Sequence, residues 1–255
     1  MVPTPRAREL EAPLRRALDM LETAIDTPTP FDPATASLTF GLASDAVQQV
    51  ILLPGVFRVL QECAPGIALH TEAPVDAKET YGKLANGELD FAIGHFDDPP
   101  TDVHRRHLAS DRIVYVARKG HPRISRTLSK AAMRAERMLL PTPITSGEPP
   151  SSLLSFHQSR EQTPGLLAAT PHLLASLFLV SQTDVITGTV ERVAEMYEDV
   201  LGLSVFPAPV AMPPVDTHIV WHVRTDHSPA HLWLLDLLEE HARTSTKKQR
   251  RRNPR

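Results

Sequence analysis

The sequence predicts an α/β fold made of two successive halves, and three observations carry that prediction. Segments with apolar residues at every second position take turns with segments of helical spacing along most of the chain. The stretch LDFAIGHF (residues 89–96) is apolar on both faces, as a strand buried in a parallel sheet must be. The alternation then starts again after residue 112, so two parts of similar plan follow one another.

Ahead of the first strand, residues 5–26 read as one helix, with Thr4 as N-cap and Pro5 at the first helical position. Leu10, Leu14, Ala17, Leu21 and Ala24 follow a 4-3-4-3 spacing, the seam of a coiled coil, which Leu18 and Ile25 widen. Pro13 falls inside the pattern and is expected to kink the helix or shift its start. Three heptads are too few to be stable alone, so the helix is expected to pair with its copy in a second chain. TPTPFDP (residues 27–33) then stops the helix and acts as a stiff linker.

In the first half, SLTFGLASD reads as a strand through Leu38, Phe40 and Leu42. Val47, Val50, Ile51, Phe57 and Leu60 fit one helix with Pro54 near its first turn. IALHTEA is a second strand, residues 76–86 a helix closed by Gly87 at C′, and LDFAIGHF a third strand. The second half runs RIVYVARKG (strand), SKAAMRAER (helix), MLLP (strand), SSLLSFHQSR (helix), GLLAAT (strand) and PHLLASLFLV (helix). It continues with DVITGT (strand), ERVAEMYEDVL (helix), LSVFPAP and THIVWHVR (strands). A last helix starts at Pro229, with Ser228 as N-cap, and ends near Arg243.

Composition narrows the function classes. The longest apolar run, near residue 175, is too short to cross a bilayer, and the N-terminus has no signal-peptide pattern, so a cytoplasmic protein is expected. Cys63 is the only cysteine and reads as a buried small hydrophobe. Six of the 27 basic residues lie in the tail KKQRRRNPR; the other 21 face 30 acidic ones, a body near −9 that makes a poor phosphate binder. The tail reads as a solvated end. GxGxxG, GxxxxGK[ST] and GxSxG are all missing. His104 with His107, and His227 with His231, read as surface histidines rather than metal ligands, and Asp97-Asp98 before Pro99-Pro100 as a solvated turn. No catalysis, cofactor or metal is expected.

The strand ends are more informative. Ala43-Ser44-Asp45, Gly94-His95-Phe96, Pro143-Ile144-Thr145 and Thr187-Gly188-Thr189 place small polar or backbone-exposing residues where open α/β sheets bind ligands. Two such halves facing each other form a cleft suited to a small organic acid. A solute-binding protein of a transport system would share this plan. The absent signal peptide and the coiled-coil seam argue against it, and an enzyme would need a nucleophile–base pair that the sequence does not offer.

Five stretches together carry a resemblance: FDPATASLTFGLASD, ILLPGVFRVLQECAPGIAL, LANGELDFAIGHF, DRIVYVARKGHP and HIVWHVRTDHSPAHLWLLDLL. In this order and spacing the chain resembles the effector-binding part of a LysR-type transcriptional regulator over residues 1–243. Residues 221–234 resemble the branch that often responds to aromatic acids. MVPTPRA resembles the end of that family's DNA-binding wing, which implies a wing remnant at 1–8, a dimerising linker helix and hinge at 9–36, and a helix-turn-helix largely missing from this chain. The resemblance implies a bilobal, type 2 periplasmic-binding-protein-like fold. Subdomain I would be 37–112 plus 207–243, and subdomain II 113–206, joined by crossover strands RIVYVA and LSVFPAP. Residues 244–255 would form a disordered basic tail. The effector, an aromatic or related organic acid, would meet Ser44, Asp45, Pro74, Val75, Gly94, His95, Phe96, Ile144, Thr145, Pro171, His172 and Thr187. The partners implied are that acid, a second copy in a dimer or tetramer, and DNA only through the missing domain.

Overall fold

β1 (Leu38–Ser44) realises the alternation of SLTFGLASD, its residues 42–44 buried between neighbours on both sides. The structure is a computed structural model that describes residues 31–74, 76–141, 166–170 and 172–252, together with Leu10 and Leu14. Met1–Asp32 and Pro33–Arg255 are separate units. In the first, Leu10 and Leu14 are helical and exposed, while Ala17, Leu21 and Ala24 lie outside the described residues.

In the second unit β1 is followed by α1 (Ala46–Ile51) and α2 (Leu53–Cys63), then β2 (Ile67–Glu72), α3 (Ala77–Asn86) and β3 (Phe91–Gly94). The helix expected across Val47 to Leu60 is therefore two, and Cys63, expected to be a buried small hydrophobe, is exposed as the last residue of α2. Pro54 cannot donate to a carbonyl one turn back, so the ladder breaks at Leu52 and restarts with Pro54 in the first turn of α2. Asp76 caps α3, its carboxylate accepting from the Glu79 amide at 2.7 Å. Gly87, at φ 84°, turns the chain out of the helix.

β1 pairs in parallel with β2 and β3, and the sheet is completed by two antiparallel strands in the order β2-β1-β3-β10-β4. β4 (Val103–Asp111) has no counterpart in the expected elements. It is an edge strand whose residues 104–107, His-Arg-Arg-His, are all at least partly exposed, so its polar sequence hides it. β10 (Val215–His222) matches THIVWHVR. Leu84, Leu89, Ala92, Phe96, Val103 and Val220 fill the space between this sheet and α3.

β5 (Ile113–Arg118) lies between β8 (Thr187–Val190) and β9 (Leu203–Pro207) in an antiparallel sheet. β6 (Met138–Pro141) and β7 (Leu166–Thr170) form a parallel pair, which Met138 joins to β8's side through Ile186. Helices α4 (Lys130–Ala135), α5 (Leu173–Ser181) and α6 (Glu191–Tyr197) cover them. The helix expected in SSLLSFHQSR lies outside the described residues. The chain changes sheets at Arg112 and returns through 208–214, so RIVYVA and LSVFP each lie within the second sheet and the crossings fall at their ends.

α7 (Pro229–Arg252) continues well past Arg243, and the tail expected to be disordered is helical through Arg252. Thr244 to Arg252 contain neither Gly nor Pro, and Lys, Gln and Arg are good helix formers that favour a helix C-terminus. The start of α7 is tied down by the stretch at 221–231. Asp90 accepts from the Gly41 amide at 2.8 Å and meets His231 Nε2 at 2.8 Å, while Arg224 donates to the carbonyls of Leu84 and Leu89. His231, expected at the surface, is part-buried, its ring edge-on to Phe40 and near Phe91.

Burial pushes the Asp90 carboxyl up, but the hydrogen bonds from His231 and Gly41 and the charges of His231 and Arg224 outweigh it, and the pKa is lowered. A depressed folded-state pKa stabilises above the unfolded value and is lost as pH falls through the folded one. Asp90→Asn is therefore expected to lower stability by about 1.5–3 kcal/mol at pH 7. Urea melts should show the deficit shrinking below about pH 4. A deficit unchanged at pH 3 would contradict the assignment.

Candidate functional site

Two strand-to-helix turns, one in each half, build the candidate site. β1 ends at Ser44 and passes through Asp45 into α1; β8 ends with Thr189 and Val190 and passes directly into α6. Both turns belong to one junction, because Val47 and Ile51 of α1 pack against the core of the second half, which includes Val190, Val193 and Ala194. Ser44 is fully buried and Thr189 nearly so, and neither hydroxyl has a hydrogen-bond partner among the described residues. Buried hydroxyls are rarely left that way, so each is a place where a water or a polar atom of a ligand would find a partner.

Asp45 caps α1, its carboxylate accepting from the Gln48 amide at 2.9 Å. Burial raises the Asp45 carboxyl to about 6; the Gln48 and Val47 amides and Arg192 oppose the rise, and Asp111 adds to it. Gln48 is itself buried and donates to Thr217 Oγ1 on β10 at 3.1 Å, which fixes the turn to the sheet.

Asp111 and Arg192 form a two-point ion pair, Nε to Oδ1 at 2.6 Å and Nη2 to Oδ2 at 2.5 Å, with side chains only 2% and 6% exposed. Asp111 is the last residue of β4 and Arg192 lies in the first turn of α6, so the pair bridges the halves. The next residue repeats the contact with charges exchanged: Arg112 donates to both carboxylate oxygens of Glu191 at 2.6–3.0 Å. Between them the Glu191 amide donates to the Arg112 carbonyl at 2.9 Å. Composition did not single out Asp111, Arg192, Gln48, Thr217 or Glu191. The one available signal was an Asp-Arg at the end of the first half mirrored by a Glu-Arg in ERVAEMY.

The residues expected to meet an effector divide. Ser44, Asp45, Gly94 and His95 lie at the ends of neighbouring strands β1 and β3, with Ser44 paired to Ile93. His95 turns toward β10, its Nδ1 at 3.0 Å from the Asp216 carbonyl. Phe96 does not join them: its ring is fully buried in the core beside Tyr81, 5.8 Å between centroids, because an apolar ring gains more there than at a polar strand end. Thr187 is also committed elsewhere, its hydroxyl donating to the Leu139 carbonyl at 2.8 Å inside the second half. Pro74 is buried, and His172 is exposed at the N-cap of α5. Val75, Ile144, Thr145 and Pro171 lie outside the described residues. The stretch at 221–234 acts on the frame: Trp221 Nε1 donates to Asp226 at 3.1 Å, beneath the Arg106 guanidinium. No cluster of three metal-ligating side chains occurs among the described residues.

A family model described as the LysR substrate binding domain matches residues 33–243. The HTH-type transcriptional activator NagR of a Ralstonia species is 28% identical over 251 residues, 94% of this chain and 79% of that protein. Among solved structures, the probable transcriptional regulator PA0477 from Pseudomonas aeruginosa superposes with a TM-score of 0.73 at 31% identity, covering 94% of this chain and 78% of that one. The BenM effector-binding domain with its effector benzoate superposes at 0.61 and 14% identity, covering 84% and 95%. That last likeness speaks for the fold alone.

The buried pair yields a direct test. Arg192→Ala leaves Asp111 desolvated without a partner and is expected to cost about 3–5 kcal/mol. Asp111→Leu combined with Arg192→Met is expected to recover most of that loss, because two apolar side chains carry no such penalty. Equal losses in the single and double variants, read from denaturant midpoints, would mean the pair is not desolvated as described.

Proposed function

The chain belongs to the LysR family of transcriptional regulators and carries that family's effector-binding domain on a type 2 periplasmic-binding-protein-like fold, and from that premise we propose that it senses a small organic acid, aromatic in character. Regulators of this family are not enzymes. The observation that carries the proposal is the pair of buried hydroxyls, Ser44 and Thr189, that have no partner among the described residues, at the turns where the two halves meet. A hydroxyl donates to a carboxylate oxygen, and one from each half would let a single acid bridge them. Asp45, Gly94 and His95 complete the first wall, with Pro74 just after the end of β2, and His172, at the N-cap of α5, belongs to the second. On family resemblance alone, Val75 stays assigned to the first wall beside Pro74, and Ile144, Thr145 and Pro171 to the second.

Bridging is what makes such a ligand a signal. A ligand shifts an equilibrium between arrangements of the halves only as far as it binds one better than the other. A bridging acid favours the closed arrangement, and the change is passed to the assembly. The assembly proposed is a dimer or tetramer through Leu10, Leu14, Ala17, Leu21 and Ala24. Leu10 and Leu14, 39% and 58% exposed in the single chain, support that reading. We place the regulator in the cytoplasm, and DNA contact outside residues 33–243, whose acidic character disfavours phosphate.

Thermal melts against a panel of aromatic and aliphatic carboxylates, benzoate included, test the reading. An acid at a hundred times its Kd is expected to add about 2.7 kcal/mol of stability, and Ser44→Ala and Thr189→Val are each expected to reduce the shift. A panel that leaves the melting curve unmoved would overturn the acid-sensor reading.

A further inference from the structure

The site pairs an acid ligand with an acidic residue. Asp45 follows Ser44 directly along the chain, is half-buried, and its carboxylate caps α1 by accepting from the Gln48 amide. The charged groups that face it are few. From β4 comes Asp111, which adds a second negative charge; from α6 comes Arg192, whose guanidinium is already engaged at two points by Asp111. From its own turn come only the Gln48 and Val47 amides. His95, on the neighbouring strand end, is directed at the Asp216 carbonyl. No described cation is therefore left over at this turn to neutralise both Asp45 and an arriving carboxylate.

We propose that this protein binds its acid effector together with one proton, taken up from solvent by the Asp45 carboxyl, so that the site reads effector concentration and pH jointly. The proposal rests on the acid-sensor reading and deepens it. Two carboxylates side by side in a partly buried turn disfavour each other's charge, and the cheaper remedy is to protonate the one already destabilised. The pKa near 6 supports this: at pH 7 protonating Asp45 lowers affinity only about tenfold, far less than it would for an ordinary aspartate. Once protonated, Asp45 changes from acceptor to donor and can hold a carboxylate oxygen beside Ser44, while its second oxygen still accepts from Gln48. Above about pH 6 the bound state then carries one more proton than the free state, and affinity falls toward a tenfold loss per pH unit.

Titration calorimetry of the full chain with benzoate, between pH 5.5 and 8 and in buffers of different ionisation enthalpy, tests this against Asp45→Asn. Asn keeps the cap, because it serves as N-cap as well as Asp, but it cannot titrate. The expected result for the wild type is an uptake approaching one proton at pH 7.5 and a Kd that weakens up to tenfold per unit above pH 6. Asp45→Asn is expected to bind with no proton uptake, a flat pH profile and a tighter Kd at pH 7.5. Wild-type binding without uptake, or an Asp45→Asn variant that keeps the pH dependence, would overturn the proposal while leaving the acid-sensor reading in place. Binding of no acid of the melting panel by either protein at any pH, with melting curves showing both folded, would overturn both.

Discussion

The structure depends most on one desolvated contact, the ion pair between Asp111 and Arg192. The chain leaves the first sheet at Asp111 and enters the second at Ile113, so the whole change of sheet is made in a single residue. A free peptide there would swivel. It does not, because the buried pair, the outer Arg112–Glu191 pair and the Glu191 amide on the Arg112 carbonyl fix three successive points. Buried ion pairs add little net stability compared with apolar packing, but their geometry is exacting. Here that geometry sets α1 and α6 side by side, and with them the two strand ends that carry Ser44 and Thr189.

The return crossing, 208–214, is built differently. It contains Pro213 and Pro214, and among the described residues no ion pair holds it. One crossing is clamped by charges and the other held by packing alone, Ala208 and Met212 lying against the core of the second half.

Much of the frame was legible because local chemistry and tertiary role agree. Asp76 and Gly87 cap the helix they bracket, and FAIG is buried on both faces as its sequence demands. β4 was illegible because an edge strand can be almost wholly polar, and VHRRHLASD advertises charge rather than alternation. The break at Leu52 was within reach, since Pro54 forbids a continuous ladder, but apolar spacing across it looked helical. Ser44 and Asp45 stand at the strand end where the alternation of SLTFGLASD puts them. Phe96 could not be excluded by its strand-end place, because strand direction says where a residue sits and not which face its ring takes. The bridging charges escaped detection altogether: Asp111 and Arg192 are 81 residues apart, and neither looks unusual until the fold brings them together. The stretch at 221–234, which pointed to an aromatic-acid branch, is occupied in binding α7 to the first sheet.

The clamp is tested most directly by native-state hydrogen exchange of the Glu191 amide, which donates across the junction to the Arg112 carbonyl. If the clamp is rigid, this amide exchanges only through global unfolding, as slowly as the inner amides of β1 and β5 and with the same denaturant dependence. Exchange through a small local opening, well ahead of both sheets, would contradict a fixed junction and with it the arrangement of the site.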